Sequence, residues 1–276
     1  MVFVVGAVAI DVVAIRERFL DGTSNPSDIR MGLGGVGYRI FSNLECPRRF
    51  ITALGADPIS RWAREVLEAD GDVSIQVEAG RDSGPPLYLA LMESGSLKVG
   101  ASDFRIVEQA LTEQFVARAV GEPGPGDFLV LDANLAPGLL ARLVDRYTAK
   151  TRVVVEPVSV EKARRHLAAL HGLFLITPTE EELEALQAAD VPAFMRERSI
   201  EAVLLTRGAE GCRLYHGDAV TELAPRTVVS ARDTTGAGDQ LLALVVSLLH
   251  AGRSLANAVR AAMDGVEQRL LRESAS

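Results

Sequence analysis

Six short runs of consecutive apolar residues punctuate the chain: Val2 to Val5, Phe50 to Thr52, Phe128 to Leu131, Val153 to Val155, Leu173 to Ile176 and Val203 to Thr206. Runs that are apolar at every position, rather than at alternate ones, are the pattern of strands covered on both faces, as in a parallel sheet. Between them the period becomes helical. Ile59, Trp62, Ala63, Val66 and Leu67 fall on one helix face. Leu140, Leu143, Val144 and Tyr147 do the same after Pro137, which suits a first helical position. Leu255, Ala258, Val259, Ala262, Val266 and Leu270 form a third face behind Ser254, a candidate N-cap. Strand and helix in alternation predict an α/β fold, a parallel sheet with helices on both sides.

Two regions break this rhythm. Residues 11–37 and 81–103 are rich in Gly, Ser and Pro and carry short alternating stretches such as Leu87 to Met92. They predict a small antiparallel sheet or flap outside the main sheet. No long linker separates the elements, and Glu122-Pro-Gly-Pro-Gly-Asp127 reads as a rigid turn ahead of a strand. The expectation is one domain over residues 1–276, with the two irregular regions as its appended segments.

Composition narrows the classes. A chain of 276 residues, 48% of them hydrophobic, can build a core without a disulfide or metal staple. Cys46 and Cys212 are the only cysteines, which excludes a disulfide framework and a Cys-rich zinc site. A net charge of −8 argues against binding along a nucleic-acid backbone. The three lysines, Lys98, Lys150 and Lys162, complete no GxxxxGK[ST] loop. Val2 to Ile10 has no basic residue ahead of it, unlike a signal peptide, and Leu241 to Leu249 is about half a membrane span. A cytoplasmic protein with no membrane or nucleic-acid partner is expected.

The chemistry concentrates in Asp233-Thr-Thr-Gly-Ala-Gly-Asp239, followed at once by the apolar helix from Leu241. At a helix start the first N–H groups lack intrahelical partners, and with the helix dipole they suit an anion such as a phosphate. Asp239 places a carboxylate in the first turn beside that site, where it can accept a proton from an attacking hydroxyl. A bare glycine turn with a favourable acidic residue would look similar over Gly236 to Asp239 alone; the Asp-Thr-Thr lead separates the two. Gly32 to Gly37 also fits GxGxxG, but no hydrophobic strand precedes it, which speaks against a dinucleotide fingerprint. Glu180, Glu181, Glu182 and Glu184 are read either as an acidic first helical turn or as part of a metal shell.

That string resembles the signature of the ribokinase-like (PfkB) family of sugar and nucleoside kinases, and further segments follow in the family's order. Thr206-Arg-Gly-Ala-Glu-Gly211 resembles the ATP-side strand and turn, Thr177-Pro-Thr-Glu180 the Asn-x-x-Glu motif near Mg²⁺, and Gly34-Gly35 the Gly-Gly of the substrate side. Asp11 matches the aspartate that binds acceptor hydroxyls. Ser24-Asn25-Pro26, Asp132-Ala-Asn134-Leu135 and Pro157-Val-Ser159 are similar to segments of the family's pseudouridine kinases. The resemblance implies a three-layer α/β/α sandwich with a small β lid, transferring the γ-phosphoryl group of ATP to a primary hydroxyl of a sugar or nucleoside. It implies Asp239 as the base, with Gly236, Ala237 and Gly238 holding the transferring group. Thr206, Gly208, Gly211, Thr234 and Thr235 would bind the nucleotide. Asp11, Asn25, Gly35, Arg39 and Asn134 would face the acceptor, and Glu180 would stand near Mg²⁺. A requirement for a monovalent cation stays open, as does a homodimer paired through the lid.

The sequence departs from the pattern in several places. Arg39 stands where the family places an Asn against the sugar, Thr177 replaces the Asn of Asn-x-x-Glu, Glu156 stands where Asp is common, and Gln240 follows the catalytic motif. An arginine adds charge and bulk to the acceptor side. A ligand-binding or regulatory protein on the same fold is therefore the alternative reading. A helix N-terminus also stabilises an ionised carboxylate, so Asp239 is expected to have a lowered pKa and to act late, as a weak base.

Overall fold

The computed structural model describes residues 1–78, 84–227 and 236–274. In chain order its elements begin β1 (Val2–Val5), β2 (Ala9–Arg16), β3 (Asp28–Gly34), α1 (Val36–Asn43), β4 (Arg48–Gly55), α2 (Pro58–Asp70) and β5 (Val73–Glu78). There follow β6 (Leu87–Glu93), β7 (Ser96–Asp103), α3 (Arg105–Ala110), α4 (Glu113–Val120), β8 (Phe128–Asp132), α5 (Pro137–Tyr147), β9 (Arg152–Glu156) and α6 (Val160–His166). The chain continues through β10 (Leu175–Ile176), α7 (Glu180–Ala185), α8 (Val191–Arg198), β11 (Ala202–Thr206), β12 (Cys212–His216) and β13 (Ala219–Leu223), and closes with α9 (Ala237–His250) and α10 (Leu255–Ser274).

Every one of the six apolar runs supplies a strand to a nine-stranded sheet of order β13-β12-β11-β10-β9-β8-β1-β4-β5. Its pairs are parallel from β5 to β11, and β12 and β13 add antiparallel. Successive residues of one strand point to opposite faces, and each face has its own core. Val2, Val4, Phe50, Phe128 and Val130 pack with α1, α2, α9 and α10, whereas Phe3, Val5, Ile51, Leu129 and Leu131 pack with the helices from α3 to α8. Three layers result, and the unbroken apolar runs are explained by burial on both sides.

The predicted helices form, with local differences. Pro137 opens α5, whose Leu140, Leu143, Val144 and Tyr147 are all buried. In α2 the buried face runs through Ser60, Ala63 and Leu67, while Ile59 is 42% exposed. Asp57 caps that helix through the amides of Ile59 and Ser60. Strands β5, β12 and β13 do not stand out in the sequence, because each lies at a sheet margin and mixes polar with apolar residues.

The irregular regions supply a separate four-stranded sheet of order β3-β2-β6-β7. It is mixed rather than antiparallel throughout, since β2 and β6 run parallel. Its first strand starts at Ala9, and α1 begins at Val36, inside the region expected to be flap.

The turn between β3 and α1 depends on Gly35. Its φ is +86°, and a Cβ there would lie 2.7 Å from Ala9 N and 2.9 Å from Ala7 O. Gly35→Ala is expected to destabilise the protein by about 1–3 kcal/mol from backbone strain alone, with the clash adding to it. Urea denaturation checks this; an unchanged midpoint would count against the assigned backbone.

Candidate active site

The parallel strands converge with their C-terminal ends on one edge of the sheet, where open α/β sheets place their ligands. The order reverses beside β1: β4 lies on one side and β8, far later in sequence, on the other. Asp132, the last residue of β8, spans that junction. It is fully buried, and its carboxylate accepts hydrogen bonds from the amides of Ala7 (2.8 Å) and Asn134 (2.9 Å). The space for it exists because Gly6 and Gly37 have no side chains: a Cβ would lie 2.3 Å and 2.8 Å, respectively, from Asp132 Oδ2. Burial raises its pKa despite those bonds.

Beside this junction lie the acceptor-side residues. Asp11 on β2 sits over Gly34, whose missing side chain leaves room for its carboxylate. Arg39 Nη2 on α1 donates to Asp11 Oδ2 at 2.9 Å. Burial pushes Asp11 up, and Arg39 pulls it partly back. The arginine continues toward α9. A Cβ on Gly236 would lie 3.3 Å from Arg39 Cδ, 3.5 Å from Arg39 Nη1 and 3.8 Å from Asp239 Oδ2. Asp11, Arg39, Gly236 and Asp239, from three separate elements, thus form one group.

Gly236 is the N-cap of α9, with φ +79°, a left-handed conformation that glycine adopts without a side-chain clash. The first intrahelical bond runs from Gln240 N to Gly236 O at 2.9 Å, so the amides of Ala237, Gly238 and Asp239 precede it. Ala237 and Gly238 open onto a cavity of about 310 Å³ that also takes Thr206, Gly208 and Gly211 into its wall. Gly211 has φ +93°, and a Cβ there would lie 2.1 Å from Leu223 O. The far wall is apolar, made by Leu241, Met263, Val266 and Leu270.

Asp239 differs from expectation. The helix start was expected to lower its pKa; instead burial, with a smaller contribution from the Asp132 carboxylate, raises it to about 7, and Arg39 offsets only part of this. Desolvation of the partly buried carboxyl is the largest influence on it. A carboxyl in that range exchanges its proton near neutral pH.

The Thr177 hydroxyl donates to the Glu156 carboxylate at the end of β9. Burial holds Glu156 well above the usual carboxylate range, and the nearby charges of Asp239 and Glu182 push it in the same direction. Glu182 is buried in a capping box: its side chain accepts from Thr179 N at 2.9 Å, and Thr179 Oγ1 accepts from Glu182 N. Glu180 is exposed at the start of α7. Among the described residues no three His, Cys, Asp or Glu side chains converge on one point.

Two of the expected acceptor residues have other partners. The Asn25 amide binds Leu20 N and O, Thr23 O and Arg16, which fastens the loop after β2. Asn134 is buried, and its Oδ1 accepts from Lys162. Thr234 and Thr235, with Asp233, lie outside the described residues. Sequence reasoning missed Asp132 and Lys162 as members of the site. The available signal was an acidic residue closing an otherwise apolar strand.

The comparisons place the chain in a family. The description pfkB family carbohydrate kinase matches residues 1–264. Pseudouridine kinase of Escherichia coli is 25% identical over 277 residues, covering 94% of this chain and 87% of that protein. The bifunctional protein HldE of Rhodopseudomonas palustris is 28% identical over 254 residues, covering 87% of this chain; the chain spans 52% of its length. Among solved structures, ribokinase of Thermotoga maritima superposes with a TM-score of 0.82 at 19% identity, covering 96% of this chain and 91% of that one. Arabidopsis thaliana ribokinase complexed with ribose and ATP gives 0.75 at 18%, covering 96% and 90%. The fold is ribokinase-like. The chain belongs to the pfkB family of carbohydrate kinases and is a sugar or nucleoside kinase.

Because the folded state disfavours ionised Asp239, its contribution to stability is present at low pH and is lost as pH rises toward about 7. Asp239→Asn is expected to raise the melting temperature relative to wild type at pH 8, with the gain shrinking toward pH 4. A gain that grows on acidification would mean that the carboxylate is stabilised instead.

Proposed function

We propose that the chain transfers the γ-phosphoryl group of ATP to a primary hydroxyl of a sugar or nucleoside, with a pseudouridine-like nucleoside as the favoured acceptor. The carrying observation is the open mouth of α9, where free amides and Asp239 meet both the cavity and the Asp11–Arg39 pair. The likeness to Escherichia coli pseudouridine kinase over 94% of the chain supports the acceptor class.

The nucleotide lies in the cavity, with its base against the apolar wall and its phosphates toward Gly208, Gly211 and α9. Asp11 retains Oδ1 for acceptor hydroxyls while Oδ2 holds Arg39. Asp239 takes the proton of the attacking hydroxyl. The amides at Gly236, Ala237 and Gly238 hold the charge on the phosphoryl group as it moves.

A Mg²⁺ ion fits this set through the mutual repulsion of its carboxylates: Glu156, Asp239 and Glu182 lie within electrostatic reach, and the first is driven toward its neutral form. Glu156 and Glu182 would hold the ion's water shell, with Glu180 at the rim. Bound there, it would neutralise phosphate charge.

The test is ATP consumption with pseudouridine, ribose, fructose and adenosine. Asp239→Asn is expected to lower turnover by about 10²–10⁴-fold while nucleotide affinity changes little. Near-native turnover in that variant would remove the base role.

The small sheet supports a second proposal, a homodimer. The strand register puts Ile29, Met31, Leu89 and Val99 on one face and Asp11 on the other. All four apolar side chains are exposed. A second copy of the same face covers them, the kind of patch that marks a contact surface. Light scattering at micromolar concentration is expected to give a dimer, and Met31→Asp with Leu89→Asp a monomer. A monomeric wild type would end this proposal.

A further inference from the structure

Arg39 occupies an electrostatically awkward place. A helix N-terminus carries partial positive charge, so a cation beside it is unfavourable unless an anion joins them. Yet Arg39 Nη1 lies next to Gly236, the N-cap of α9, and close to the free amides of that helix. Asp11 binds only one edge of the guanidinium, through Nη2. Nε and Nη1 have no partner among the described residues, and the side chain is 29% exposed.

The backbone that carries the arginine is also held in place. Arg39 N donates to Gly35 O at 2.9 Å, and its carbonyl accepts from Asn43 Nδ2 at 2.7 Å. The helix that carries it packs on α9 in the same core layer. A fork of N–H donors, tied to Asp11 at one edge, and a row of backbone amides therefore face one space from two elements. An acceptor hydroxyl has at most two lone pairs and no charge. A phosphoryl group in transit has three charged equatorial oxygens, and it matches that many donors.

We propose that Arg39 is a catalytic residue: oriented by Asp11, its guanidinium contacts the phosphoryl group as it passes from ATP to the acceptor at the mouth of α9. The inference rests on the kinase reading above and moves Arg39 from sugar recognition to phosphoryl transfer. In the step, the acceptor oxygen forms its bond to the γ-phosphorus while the bond to the bridging oxygen breaks. ADP keeps that electron pair, Asp239 receives the acceptor's proton, and Arg39 stays protonated throughout.

The experiment compares wild type, Arg39→Asn and Arg39→Lys in steady-state turnover and in binding of ADP with and without aluminium fluoride, a planar stand-in for the moving phosphoryl group. Arg39→Asn is expected to lose about 10²–10³-fold in kcat, with acceptor and ATP KM within a few-fold. It should bind ADP normally but fail to tighten with aluminium fluoride. Arg39→Lys keeps the charge without the fork and should recover part of both losses. If Arg39→Asn melts below the assay temperature, the lysine variant is read alone and must show the same pattern in weaker form. Unchanged kcat and unchanged fluoride tightening, with a raised acceptor KM, would overturn the inference and return Arg39 to acceptor binding. Absence of both turnover and fluoride tightening in wild type would overturn the kinase reading itself, and this inference with it.

Discussion

The arrangement depends on one buried carboxylate. Asp132 joins β8 to the segment after β1, two parts of the chain about 125 residues apart, at the point where the strand order reverses. Any such crevice leaves backbone amides without sheet partners, and a buried amide without a partner is costly. Asp132 satisfies two of them at once. Burying that charge is itself unfavourable, and the surroundings are built around it: glycines at 6 and 37 give it space, and Lys162 brings positive charge near its outer side. The Gly-Gly turn and α1 are seated on this arrangement, and through α1 so is Arg39.

Burial then sets the chemistry. The same enclosure that holds Asp132 extends to Asp239, Glu156 and Glu182, and all four carboxyls have raised pKa values. From sequence, the helix start is the visible influence on Asp239, and it has the opposite sign. What reverses it is the closeness of β8, α1 and α9, which no linear spacing expresses. In the proposed reaction, a carboxyl that titrates near neutrality would remove the need for the late proton transfer that a strongly acidic one would impose.

Much of the frame was legible because the physics behind it is local. Strands buried on both faces must be apolar throughout, so Val2–Val5 and Phe128–Leu131 announce themselves. Gly236 to Asp239 are recognisable because a helix start has few ways to hold an anion. The rest was hidden for reasons of a different kind. Strand β13 lies at the sheet edge with β12 beside it, where polar residues are tolerated. The parallel pairing of β2 with β6 depends on contacts across more than 70 residues. Asn25 has the composition of a ligand-facing residue, but its amide is used to tie down its own loop. Asp132 sits at the end of a strand whose apolar part drew the attention.

The Asp11–Arg39 pair joins two bodies. Asp11 belongs to the small sheet, and Arg39 belongs to a helix rooted in the large one. The parallel β2–β6 pairing stitches stretches of chain more than 70 residues apart into one small sheet. Through this ionic contact the position of the small sheet and the aim of the guanidinium toward α9 are set together.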